Sequence, residues 1–171
     1  MGGFFHRILS QAVENILTAR HPVASCISTY EKIGGFPEDG KFAVRGNIED
    51  WVRRDLIYTG VEPEDLEKMD YFDAYLRYWE QYNYYVATTG LSANRAISIV
   101  AYDKQTMESV MKSLYYRFGN LDPEPGEFEV FGKRDRHPDW FEKAELVIKR
   151  VSGVWATVGL AFPLEDIMEG W

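Results

Sequence analysis

The stretch Arg95-Ala96-Ile97-Ser98-Ile99-Val100-Ala101-Tyr102-Asp103, followed by Lys104 to Phe118, decides how this chain is read. Ile97, Ile99 and Ala101 alternate with Ala96, Ser98, Val100 and Tyr102, the two-residue period of a strand. Asp103 stands where a helix N-cap belongs. Met107, Val110, Met111, Leu114, Tyr115 and Phe118 then recur at three- and four-residue steps, the period of a helix with one apolar face. Gly119 fits the position just past a helix end. The chain therefore contains a strand that feeds directly into a helix.

Reading outward, Phe5, Ile8, Leu9, Ala12, Val13, Ile16 and Leu17 predict a first helix over Phe4–Arg20. His21-Pro22 ends it, because proline disfavours helix in the residue before it. Val23 to Tyr30 and Lys41 to Arg45 read as short strands, separated by turns at Gly34-Gly35 and Pro37–Gly40. Asn47 is a good N-cap with Glu49 and Asp50 in the first turn. Pro63 opens a helix that runs to about Tyr82. Tyr84 to Thr89 and Phe128 to Phe131 read as strands. Ala144–Val151 and Val154–Phe162 read as a hairpin turned at Ser152-Gly153. The expected architecture is one α+β domain over 1–171. It has a mostly antiparallel sheet of four to six strands, an N-terminal helix and a helix at about 104–118. A helical, acidic and aromatic insertion occupies about 47–82, and 163–171 is a C-terminal tail.

Composition narrows the function. The chain has 171 residues, 46% hydrophobic and 15% aromatic, enough to bury a core and too apolar for disorder. Cys26 is the single cysteine, which excludes a disulfide framework and a Cys-based zinc site. A formal charge of −8 argues against phosphate-backbone binding, so no specific nucleic-acid partner is expected. No apolar run approaches the roughly 18 residues needed to cross a bilayer. The first 20 residues are too polar for a signal-peptide core. No membrane partner is expected, and synthesis in a reducing cytoplasm is. The acidity is uneven: residues 47–90 hold ten Asp+Glu against four Lys+Arg.

No motif states a chemistry. The chain lacks a Gly-rich phosphate loop, a Gly-x-Ser-x-Gly elbow and a His-Glu-x-x-His helix. Asp135, His137 and Asp139 alternate, and two carboxylates with an imidazole can hold a divalent metal. Lys133, Arg134 and Arg136 interleave with them and oppose a cation, so a solvated charged loop is the stronger reading. Carboxylate pairs such as Glu64/Asp65 and Asp70/Asp73 read as a solvated helix face. The expectation is a non-enzyme with no cofactor and no metal.

Two features suggest contact surfaces. Tyr71, Tyr75, Tyr78 and Tyr82 form a stripe on a helix that already carries Leu66, Met69, Phe72, Leu76 and Trp79 for its core. Tyrosine suits surfaces that are apolar at one end and wet at the other. Such rings can equally cover the helix's own domain. Lys133, Arg134 and Arg136 form a basic knot that can dock onto the acidic segment of another copy, a head-to-tail contact able to close into a ring.

The strand–helix unit Ile97–Phe118, with the first helix Phe4–Arg20 before it and the hairpin Glu145–Phe162 after it, resembles the tail-terminator and tail-completion proteins of tailed bacteriophages. The helical segment Asn47–Tyr82 departs from that pattern. The resemblance implies a small α+β virion subunit without catalysis. It would form a hexameric ring that caps the tail tube and joins it to the other neck and tail proteins. The alternative is an acidic binding inhibitor, or immunity-type protein, that blocks a basic partner; size, net acidity and aromatic content suit it. A third reading is an enzyme built on the Asp135–His137–Asp139 loop.

Overall fold

The computed structural model describes residues 15–32, 47–88, 97–118 and 136–170. Among them are strands β1 (Asn15–Ala19) and β2 (Ile97–Ala101). The helices are α1 (Pro22–Lys32), α2 (Asn47–Tyr58), α3 (Pro63–Leu66), α4 (Tyr71–Thr88), α5 (Lys104–Phe118), α6 (Trp140–Thr157) and α7 (Leu164–Glu169). The molecule is mostly helical, with a single two-stranded parallel sheet among the described residues. This overturns the expected antiparallel sheet of four to six strands.

Each correction has a physical cause. Pro22 opens α1 instead of closing a helix, since proline lacks only an N–H that the first turn leaves unbonded anyway. Val23, Cys26, Ile27 and Tyr30 are buried at helical spacing where a strand was expected. The expected strand at 84–89 is instead the last turns of α4, where Val86 and Ala87 reach the core. Asn83 and Thr88 bond the carbonyls of Trp79 and Tyr84 four residues back. The expected hairpin is one helix, α6. Trp140, Ala144, Val147, Ile148, Val151 and Trp155 form its buried stripe, and Gly153 is exposed and helical, not a turn. Part of the expected first helix, Asn15–Ala19, is β1. The expected strands at 41–45 and 128–131 lie outside the described residues.

The strand–helix unit stands. β2 covers Ile97–Ala101, and Asp103 Oδ1 accepts the Thr106 N–H at 2.9 Å as a cap for α5. β2 pairs with β1 in parallel, Asn15 opposite Ile97 and Ala19 opposite Ala101. Parallel strands require a long crossover; here the connection carries α1 to α4.

α4 is the centre of the core. It packs against α1, α2 and α6. Asp73 meets Lys143, Glu80 meets Arg150 and Asn83 meets Trp155, so α4 and α6 run parallel. Tyr30 meets Tyr71 while Ser25 meets Tyr75, so α1 runs antiparallel to α4. The segment expected as an insertion thus supplies Phe72, Tyr75, Leu76 and Trp79 to the main hydrophobic cluster. The tail expected at 163–171 forms α7 and buries Ile167.

Two helices end alike. Gly60 (φ +92°) follows α2, its N–H bonded to the Ile57 carbonyl and the Val61 N–H to that of Leu56. Gly159 (φ +77°) follows α6 with the same pair of bonds, to Ala156 and Trp155. Both are Schellman caps that need a left-handed residue.

Candidate functional site

The tyrosine stripe faces inward along most of its length. Tyr75 is only 5% exposed. Its hydroxyl lies 2.9 Å from Ser25 Oγ and 3.4 Å from Thr29 Oγ1 on α1. Tyr71 sits between Tyr30 and Trp140. Tyr78 packs on Trp51 at 4.6 Å between ring centroids. Tyr82 is the outermost, at 43% exposure. Burial pushes the hydroxyls of all four above the ordinary tyrosine range. The rings cover the helix's own neighbours α1, α2 and α6, and only Tyr82 presents much surface.

Of the basic knot, Lys133 and Arg134 lie outside the described residues. Arg136 forms an ion pair with Glu31 of α1. Asp135 also lies outside the described residues, while His137 stacks on Trp140 at 3.8 Å. Among the described residues no group of three His, Cys, Asp or Glu side chains is placed to hold a metal ion. Cys26 is buried, and burial pushes its thiol well above the ordinary range, which disfavours the nucleophilic thiolate. No described helix is long and apolar enough to cross a membrane.

Two other features stand out. The first is α5. None of its side chains from Lys104 to Arg117 is buried, and Tyr116 is 87% exposed. Met107, Val110, Met111, Leu114 and Tyr115 fall on one face and are partly buried, yet among the described residues none of them joins the core cluster or packs against it. Among the described elements α5 rests on β2. A helix with a coherent apolar face normally buries that face.

The second is a polar cluster at the carboxyl end of the parallel strands. Arg20 follows β1 and Tyr102 follows β2. Arg20 Nη1 donates to Ser28 Oγ at 2.9 Å, and the guanidinium carbon lies 5.4 Å from the Tyr102 ring centre. Ser25, Ser28 and Thr29 share one face of α1, and Tyr75 joins them from α4. Sequence reading missed this cluster because it took 23–30 as a strand, which splits Ser25 and Thr29 from Ser28 onto opposite faces. As a helix, the spacing of 25, 28 and 29 puts them together.

No family model matches the chain, and no curated protein or solved structure matches it.

Proposed function

We propose that this protein is a non-catalytic assembly subunit that joins copies of itself through α5. The observation that carries the reading is the apolar face of Met107, Val110, Met111, Leu114 and Tyr115, each of which stays only partly buried. Charge favours a second copy as the occupant. α5 holds Lys104, Lys112 and Arg117 against Glu108, a local excess of cations in a chain of net charge −8. Glu62, Glu64, Asp65 and Glu67 make the exposed surface around α3 acidic, with Lys68 paired to Asp65 within it. Opposite surfaces at different places on one chain suit a head-to-tail contact, and such contacts close into rings.

The specific form of this reading is a ring subunit at the tail end or neck of a tailed phage. Its support is the strand–helix unit, β2 and α5, on which the family resemblance rests and which the fold keeps. The first helix and the late hairpin give it no support, since residues 15–19 form β1 and residues 140–157 form α6.

Light scattering tests the assembly. The wild-type chain is expected as an oligomer whose mass falls with rising salt, and Met111→Glu as a folded monomer. A wild-type monomer at all concentrations contradicts the proposal.

The same acidic surface favours one second reading, an inhibitor that covers a basic partner. That reading gains if the wild-type chain stays monomeric and instead forms a salt-sensitive complex with a basic protein encoded beside it.

A further inference from the structure

The Arg20 cluster holds a cation without a matching anion. The guanidinium is half-buried, and burial lowers its pKa. Ser28 takes one of its five N–H donors. Its Nε is shielded from solvent and makes no hydrogen bond. No carboxylate pairs with it among the described residues. Asp103 is next to Tyr102 in sequence; its Oδ1 accepts the Thr106 N–H of α5, and its Oδ2 is shielded from solvent and makes no hydrogen bond.

A partly desolvated charge without a partner is costly, which is why such groups are normally paired. The surroundings of Arg20 are neutral but rich in donors. The Ser28 hydroxyl accepts from Arg20, so its own proton is free to donate elsewhere. The Ser25, Thr29 and Tyr75 hydroxyls bond one another and the Ser25 carbonyl, so their protons are spent within that group. A guanidinium with four N–H donors left over, the Ser28 hydroxyl beside it and an aromatic ring beneath it form a donor set that suits an oxyanion. The position agrees: Arg20 and Tyr102 both leave the carboxyl ends of parallel strands, where open α/β sheets bind their ligands.

We propose that Arg20, Ser28 and Tyr102 form a binding site for a phosphoryl group, with Arg20 as its charge anchor and Ser28 as a second donor. Phosphate is favoured over carboxylate because it offers more acceptor oxygens to a set with this many donors. The group is either inorganic phosphate or the terminus of a small phosphate monoester. The chain's net charge of −8 opposes any anion at long range, so the affinity comes from the local donors.

The test is a titration of the full chain at constant ionic strength, read by thermal shift and by the Arg20 Nε–H resonance. Inorganic phosphate is expected to raise the melting temperature saturably and to move that resonance, while acetate and chloride do neither. Glycerol phosphate binding more tightly than phosphate assigns the site to an ester; equal binding assigns it to the free ion. Arg20→Gln is expected to weaken phosphate binding by about tenfold or more, the scale of a charged hydrogen bond. Ser28→Ala is expected to weaken it a few-fold. An unmoved Arg20 resonance, an equal response to acetate, or an unchanged affinity in Arg20→Gln overturns the proposal. The resonance reads out on the wild-type chain, so the test holds even if Arg20→Gln does not fold.

Discussion

Single residues report which of two backbones the chain adopts. Gly153 is the sharpest case. In a hairpin turn it would need a glycine, whereas in α6 it is an exposed helical position with nothing within 4 Å of an added Cβ. Gly153→Ala should therefore stabilise the protein by about 0.5–1 kcal/mol in urea unfolding. Gly60 and Gly159 give the opposite sign. Their positive φ places a Cβ against the following carbonyl, so an alanine at either should cost about 1–2 kcal/mol in the same measurement. Tyr75→Phe leaves the ring in the core but removes its contacts with Ser25 and Thr29, for an expected loss of about 1 kcal/mol.

At the scale of elements, stability rests on α4 and the helices around it. Trp140 opens α6 and stacks on Phe72 at 4.3 Å with its ring almost parallel. It also meets Tyr71 edge-on and stacks with His137. Trp140→Ala should cost about 3–5 kcal/mol, since little can collapse into so large a gap. The ion pairs between α4 and α6 are nearer the surface, and their loss should matter far less. The elements legible in sequence were those with unmixed signals. Ile97–Phe118 alternates cleanly and then turns to a helical period, and Asp103 marks the change. Residues 63–82 were read as one helix; the structure keeps the helical period but breaks it at 67–70, between α3 and α4. The misread elements carry β-branched or aromatic residues on helix faces. Tyr84, Tyr85 and Val86 favour strands locally, but α4 continues because Val86 and Ala87 reach the core. Val147, Ile148 and Val151 sit in α6 for the same reason. Proline at 22 has two meanings, the end of one helix or the first turn of the next, and sequence alone does not choose between them. The Arg20 cluster could not be read at all, because Tyr102 reaches Arg20 only through the pairing of two strands distant in sequence.

For the whole molecule, burial and charge set two expectations. Burial raises the pKa of Cys26, Tyr75 and Tyr78, so the fold binds these protons more tightly than the unfolded chain does. Stability from these groups is full below the ordinary values, about 8.5 for cysteine and about 10 for tyrosine. It is lost as pH rises toward the raised folded values. The hydrogen bonds that Lys143 donates to Asp73 and Arg150 donates to Glu80 raise those two pKa values as well, which acts in the same direction. Urea midpoints should fall between about pH 7.5 and about pH 10.5, and a constant midpoint would contradict the burial of these side chains. The second expectation concerns assembly. Within residues 47–90, Asp70, Asp73 and Glu80 pair with α6 while Glu62, Glu64, Asp65 and Glu67 are exposed around α3, and the cations of α5 lie elsewhere on the chain. Electron microscopy of the purified protein at low salt tests the central claim most directly. Closed rings with an open centre, absent in Met111→Glu, are the expected result; single particles of one chain in both samples would contradict it.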